Sequence, residues 1–348
     1  MEKSKLSNNP NKIIFSCIIP ASAKDLKSDK LKDLIDSIKA QDFQKDLVEI
    51  IIVTNFKEPL TETLHHNLEG IKLYFTDGDS EQAKSEGIRV SKGKICTMFC
   101  TDNFIVSRFL FKIVYTLFSK HDVTGIYTKY YTCSKNDNSL NRYFSLIGNN
   151  DPIAFYLGKN DRLPHYQGDE EVVMDLVEFK NKVPSLGDNG FFYLRKKIIE
   201  TNLDHYYPMD NAEDLRKKGN YTYFRIFPAV WHRTSDSLIS FLKKRYKYAR
   251  DLYSDRSDRR WRMVDTKEDK FRLALFIFYT LTVIQPLYIS FKGYSKVRDM
   301  AWFWHFPVCV GFLIIYTFLV LRNLFKYGTL FQCRKQVLLS RPLAEAKV

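Results

Sequence analysis

Short continuous apolar runs and apolar residues at helical spacing take turns along the first third of the chain. Residues 13–20 (IIFSCIIP) form a β-branched run closed by a proline, as a strand would be. Leu31, Leu34, Ile35 and Ile38 then recur at the spacing of one helix face. Residues 48–54 (VEIIIVT) are almost uninterruptedly apolar, which fits a parallel strand buried on both faces. The pattern continues as a short helix over 62–68, a strand over 71–75, a helix over 81–91 stopped by Lys92-Gly93, and a strand over 94–99. That strand runs into Thr101-Asp102-Asn103 and is followed by a helix over 107–119 and a strand over 123–131. This alternation predicts an α/β fold, a mostly parallel sheet covered by helices. Ligands of such sheets bind beyond the carboxyl ends of the strands. Residues 20–22, Thr54-Asn55 and Asp102 all fall at such ends.

From 132 to 184 the pattern loosens into polar loops, with an Asn-Asp-Pro turn at 150–152 and one strand over 172–179. Gly187-Asp188-Asn189-Gly190 is a turn signal before apolar residues 191–194. Helices over 195–201 and 212–218, a strand over 221–228 and then Trp231-His232 follow. Leu238, Ile239, Leu242, Tyr246 and Ala249 mark one face of a helix whose other face carries Lys243, Lys244, Lys247 and Arg250. A basic amphipathic helix of this kind lies in a membrane interface. Two apolar runs come next, 273–291 and 301–321, each with roughly the 20 residues that cross a hydrocarbon core of about 30 Å. Pro286 would kink the first; alternatively, one of the two runs is a buried core helix.

Charge refines this layout. Over 348 residues, 54 Lys+Arg against 40 Asp+Glu leave a net +14, which favours anionic partners. Seven Lys/Arg lie in 256–272, and only Lys292, Lys296 and Arg298 separate the two runs. The positive-inside bias therefore puts both flanks of a hairpin in the cytoplasm, giving a multi-pass protein of the cell membrane. Residues 1–12 are polar and lack an apolar signal core, so the preceding domain is expected on the cytoplasmic side. The expected organisation is a disordered terminus (1–12), an α/β domain (13–234), a basic interfacial segment (235–270), a transmembrane hairpin (271–322) and a cytoplasmic tail (323–348). The six cysteines form no CxxC pair, as expected of reduced thiols. With the basic charge gathered beside the apolar runs and no nucleic-acid motif, no nucleic-acid partner is expected.

The ordered segments SCIIP, VEIIIVTN, QAKSEGIRVSKGKICTMFCTDN and GDNGFFYLRK resemble those of a family 2 glycosyltransferase with the GT-A fold, over about residues 13–250. The C-terminal hairpin is similar to that of membrane-attached members. The resemblance implies a nucleotide-sugar donor, a lipid-linked or glycan acceptor, inversion at the sugar, and Mn²⁺ or Mg²⁺ to neutralise the departing diphosphate.

Carried over residue by residue, the resemblance implies Asp102 and His232 as metal ligands. Asp102 matches the last acid of the family's Asp-x-Asp element, whose first position here is Cys100. Pro20, Ala21, Ser22, Thr54 and Asn55 would cradle the nucleoside, with Thr54 standing where an Asp is usual. Lys84 and Gly87 would lie over the donor phosphates, Thr101 beside them, and Asn189 and Gly190 against the donor sugar. Asp210 would take the acceptor proton, with Asp214 as its alternative. Each position also has a plainer role: a turn at Asp102-Asn103, an interface histidine at His232, a solvated helix face for Lys84, and helix capping by Asp210. A competing reading is a non-catalytic relative that binds nucleotide-sugar at a degenerate metal site.

Overall fold

The structure, a computed structural model, describes residues 13–55, 70–167, 173–227, 229–254 and 259–327. The short helix expected over 62–68 lies outside them. Eleven strands are described: β1 Phe15–Ala21, β2 Val48–Thr54, β3 Ile71–Phe75, β4 Ile95–Met98, β5 Asn103–Ile105, β6 Gly125–Thr128, β7 Tyr131–Thr132, β8 Met174–Glu178, β9 Phe191–Leu194, β10 Thr222–Ile226 and β11 Val230–His232. Eight of them form one sheet in the order β3-β2-β1-β4-β9-β6-β10-β8, and β5-β11-β7 form a second, small sheet.

The first half of the large sheet is parallel, as its apolar runs predicted. The second half is mixed. β9 runs antiparallel between β4 and β6, and β8 runs antiparallel along β10. A four-residue run buried at its first three positions carries no periodicity that encodes its direction. Alternation along β9 feeds both faces of the sheet. Phe192 joins Phe15 and Phe111, whose rings stack at 4.5 Å. Phe191 and Tyr193 join Ile18, Met98, Tyr127 and Tyr223 on the other face. Each such ring contributes about 1.5–3 kcal/mol of burial.

Two helices stand where the sequence reads as loops, Ser139–Ile147 and Pro152–Tyr156. Asn138 caps the first by accepting from the Asn141 amide, and Gly148 ends it at φ 73°. Asp151 and Pro152 start the second. Their apolar faces pack on the C-terminal helices. Leu140, Tyr143, Phe144, Phe241, Trp302 and Phe312 share one core. The expected boundary at 234/235 is thus bridged by continuous packing.

The first apolar run is not a straight span. Helix Lys267–Thr282 and helix Ile284–Lys296 meet at 85°. Val283 forms the corner at φ 65°, and Pro286 sits in the first turn of the second helix, where its missing N–H costs nothing. The arms have 16 and 13 residues, about 24 and 20 Å, and each is too short to cross alone. Among the described residues, only Met300–Leu324 is by itself long and apolar enough to cross a membrane. Phe271, Phe278, Leu281, Ile284, Phe291, Ile314 and Phe318 of these helices face outward.

Candidate functional site

The small sheet assembles the centre of the site. β4 delivers residues 99–103 in a turn closed by Asn103, which accepts from the Cys100 amide (3.1 Å) and donates its own amide to the Cys100 carbonyl (2.9 Å). β11 pairs antiparallel with β5 so that His232 lies opposite Asn103, and the Arg233 amide donates to the Asp102 carbonyl. This register sets His232 Nε2 3.5 Å from Asp102 Oδ1. Lys244 Nζ, from helix Leu238–Ser254, stands 3.8 Å from Asp102 Oδ2. Burial pushes the Asp102 carboxyl up. The charge and hydrogen bond of His232, with Lys244 and Lys30, outweigh it and hold the group at about 2.

The loop at 187–190 closes the other side. The Gly187 amide donates to Asp161 Oδ2 (3.1 Å), and the buried Arg162 pairs with Asp161 and donates to the Asn189 carbonyl. Gly190 has φ 70°, and a β-carbon there would sit 2.8 Å from Val230 Cγ2, so this position requires glycine. Asn189 is thereby placed with Nδ2 3.5 Å from His232 Nδ1, while its Oδ1 is buried without a hydrogen-bond partner among the described residues.

That orphaned oxygen bears on a cation. Turning the Asn189 amide over lets Oδ1 accept from His232 Nδ1–H, which leaves the Nε2 lone pair facing Asp102. A proton on Nε2 satisfies that contact as it stands, and a cation that displaced the proton would meet a carboxylate and an imidazole lone pair, an N,O pair that suits Mn²⁺. The residues present therefore fit such an ion. Among the described residues, no cluster of three or more His, Cys, Asp or Glu could hold a metal, so the remaining ligands would have to come from substrate or water. Cys100 does not replace the missing carboxylate. Burial first, then Asp102 and Asp188 against the opposing pull of Lys84, pushes its thiol up to about 12, so it stays neutral.

Lys84 occupies no solvated face. It is buried, with Nζ 2.7 Å from Asp188 Oδ2 and 2.9 Å from Glu81 Oε1. Burial opposes its charge, but the two carboxylates outweigh this and hold its pKa well above the usual lysine value. Tyr206 donates to the other oxygen of Asp188 (2.9 Å). Sequence reasoning passed over Glu81, Asp161, Arg162 and Asp188. Only Asp188 carried a signal, by its place inside the Gly-Asp-Asn-Gly turn.

Glu81, Lys84, Cys100, Asp102, Asp188 and His232 line a cavity of about 930 Å³. Of the sequence-derived candidates, Lys84, Asp102, Asn189 and His232 lie on it. Pro20 and Ala21 end β1, and Ser22 caps helix Ala23–Leu26 in a reciprocal box with Asp25. Asp25 also accepts from Thr101 (2.9 Å), which ties these strand ends together at the border of the site. Thr54 is buried at the end of β2, and exposed Asn55 follows it.

Three expectations need correction. Gly87 does not face the cavity: a β-carbon there would fall 2.3 Å from Ile18 Cγ2, so its role is close packing of helix Ser80–Val90 on β1. Asp210 is fully buried, accepting from Arg259 Nε (2.7 Å) and the Trp261 amide (2.8 Å). Asp214 accepts from Arg260 Nε (2.9 Å) and the Asn202 amide (3.3 Å). Neither acid lines the cavity, whereas Arg259 and Trp261 do.

No family model matches the chain, and no curated protein matches it in sequence. Solved structures with a related chain path include residues 1–349 of TarS from S. aureus, at 12% identity and TM-score 0.43, covering 91% of this chain and 92% of that one. Mannosyltransferase PcManGT from Pyrobaculum calidifontis, in complex with GDP-Man and Mn²⁺, gives 12% identity, TM-score 0.44 and coverages of 92% and 84%. Glucosyl-3-phosphoglycerate synthase from Mycobacterium tuberculosis, in complex with Mn²⁺, UDP and glucosyl-3-phosphoglycerate, gives 11%, 0.40, 69% and 79%. Likenesses this distant establish no shared activity, and the chemistry of this chain is read from its own site.

Proposed function

We propose that this chain is a GT-A-like, metal-dependent glycosyltransferase that moves a sugar from a nucleotide-sugar donor, attached to a membrane through its C-terminal helices. The observation that carries this reading is the meeting of Asp102, His232 and Asn189 with Lys84 on one cavity at the strand ends. A bound Mn²⁺ or Mg²⁺ would supply positive charge to the departing diphosphate. Asp102, ionised throughout the neutral range, and His232 would hold that ion. Lys84 keeps its charge in the same wall through Asp188 and Glu81 and offsets theirs where the phosphates would lie. Asn189 orients the His232 ring, and Gly190, packed against Val230 and off the cavity, lets the loop place it there. Pro20, Ala21, Ser22, Thr54, Asn55 and Thr101 remain the candidates for the nucleoside side by their place at the strand ends, although none of them lines the cavity. No base is assigned, because Asp210 and Asp214 are held by Arg259 and Arg260 and lie off the cavity.

Membrane attachment is supported by the outward apolar faces of the C-terminal helices and by the basic helix Leu238–Ser254 beside them.

The test is nucleotide release from UDP- and GDP-sugars by the full chain in detergent with Mn²⁺. Asp102→Asn and His232→Ala should each abolish it while thermal stability is retained. Nucleotide binding without turnover, unchanged in Asp102→Asn, would favour the non-catalytic reading.

A further inference from the structure

The segment between the two apolar runs does not lie where a transmembrane hairpin would put it. A hairpin carries that segment to the far side of a hydrocarbon core about 30 Å thick, away from the α/β domain. Here it is bonded to the domain. Arg142, on helix Ser139–Ile147, holds Asp299 through Nε (2.9 Å) and Nη2 (3.2 Å). Trp304 Nε1 donates to Ser139 Oγ (2.8 Å), and the Lys292 ammonium stands 5.0 Å from the centre of the Tyr166 ring. The start of the first run is held on the same body, where Asp269 pairs with Lys159 (3.2 Å) and Lys182.

Both ends of the first run are therefore fixed to one body, and the 85° bend at Val283 returns the chain to it. Leu281 and Ile284, on either side of the corner, are 69% and 73% exposed. Along helix Ile284–Lys296 the outward residues Ile284, Leu287, Tyr288 and Phe291 form one stripe at i, i+3, i+4 and i+7. The opposite face is packed: Trp302 leaves no room for a β-carbon on Gly293, and Ser290 Oγ donates to the Trp302 carbonyl (2.9 Å). Residues 273–291 carry no charge, whereas Lys267, Lys270, Lys292, Lys296 and Arg298 stand at the outer ends of the two arms. An uncharged corner with basic ends matches a hydrocarbon layer edged by anionic headgroups. With arms of about 24 and 20 Å inclined equally, the corner reaches about 14–18 Å below their outer ends, roughly half the core.

The second run does not cross either. Its first turn is bound to the domain, where His305 hydrogen-bonds the Tyr143 and Tyr156 hydroxyls (2.8 and 3.1 Å). From there it lies along helix Leu238–Ser254. A β-carbon on Gly311 would fall 2.7 Å from Leu242 Cδ2, Ile315 and Leu319 pack with Ala249, and Arg322 donates to the Tyr246 hydroxyl (2.8 Å). That neighbouring helix exposes Lys243, Lys247 and Arg250 beside the run, and the middle of a bilayer does not accept such a row of charges.

Resting on the membrane attachment proposed above, we propose that the C-terminal helices form a re-entrant wedge seated in one leaflet of a phospholipid bilayer. The wedge enters and leaves on the side of the α/β domain. The corner at Val283 is its deepest point, and helix Ile284–Lys296 leads back to the headgroups. Among the described residues the chain crosses the bilayer nowhere, although both apolar runs have the length to do so.

The experiment uses the full chain in sealed, inverted membrane vesicles of a bacterial expression host, with the cytoplasmic face outward, and a membrane-impermeant maleimide. One variant carries Ser119→Cys, exposed on the α/β domain, and another Ser295→Cys, exposed in the segment between the apolar runs. Labelling of each is read over that of the parent chain and against the same vesicles opened with detergent. Both sites should react in sealed vesicles to the same fraction of their detergent value. Ser119→Cys labelled with Ser295→Cys protected until detergent is added is the signature of a hairpin and overturns the proposal. Release of the chain by alkaline carbonate, with both sites labelled, means that it rests on the surface without inserting, and overturns it as well. Ile284→Glu tests the corner. The side chain is exposed, so melting in detergent should not shift, whereas the share retained on carbonate-washed vesicles should fall at least about tenfold. Retention equal to that of the parent overturns insertion at the corner. Recovery of the parent chain in the soluble fraction, as a dimer or otherwise, sinks membrane attachment itself, a failure distinct from that of seating in one leaflet.

Discussion

Replacing Asp210 with asparagine separates a structural tie from a proton acceptor. Asp210 is 0% exposed and accepts two donors, Arg259 Nε at 2.7 Å and the Trp261 amide at 2.8 Å. Asparagine keeps the shape but has one acceptor oxygen, so whichever way the amide turns, one of its own N–H groups faces a donor. It also removes the one counter-charge that Arg259, itself 93% buried, has among the described residues. Breaking a well-buried ion pair from one side costs about 3–5 kcal/mol. That is a large part of a typical stability of about 5–15 kcal/mol, and corresponds to a fall in Tm on the order of 10 °C. The assay is thermal unfolding in detergent, with nucleotide release measured well below the transition. Pairing Asp210→Leu with Arg259→Met should recover most of the loss, since no lone charge is then left inside. An Asp210→Asn protein that melts within about 1 °C of the parent yet has lost turnover on a hydroxyl acceptor would refute the tie and restore Asp210 as base.

Four further outcomes follow from the geometry. Asn189→Leu, which removes the amide beside His232 Nδ1, should lower Mn²⁺ affinity about 10–100-fold, read by titration of the bound metal. Cys100→Asp adds a carboxylate near Asp102, Asp188 and Glu81; it should lower the Tm without metal and enlarge the stabilisation by Mn²⁺, and equal shifts would contradict that placement. Glu49 is buried and accepts from Ser16 Oγ (2.5 Å), the Lys92 amide (2.6 Å) and Lys72 (2.5 Å). Burial raises its pKa, but Lys72, Ser16 and the Lys92 amide outweigh this and lower it below the ordinary 4.5. Its contribution is therefore present above about pH 4.5 and lost as pH falls through the folded value. Glu49→Gln should flatten that acid limb in pH-dependent melts. Gly190→Ala, forcing a side chain into φ 70° and against Val230, should cost about 1–3 kcal/mol, seen as a lower Tm.

The alternation of apolar runs and helical spacing determined the parallel half of the sheet, because a strand buried on both faces must be apolar at every position. It also placed Asp102 at a strand end and Asn189 in a turn, where backbone conformation leaves a local mark. Tertiary structure decided the direction of β9, whose four apolar residues suit either direction. It also decided the pairing of β11 with β5, which sets His232 on Asp102 across well over a hundred residues of chain. Lys84, Asp210 and Arg259 show the same limit from the charged side. Whether an ionisable group is solvated, paired or left open to a ligand depends on what packs over it, and its partner is fixed by contacts that no local pattern records. The bend at Val283 belongs there too: composition marks a run as apolar, but only packing against the neighbouring helices turns it through a right angle.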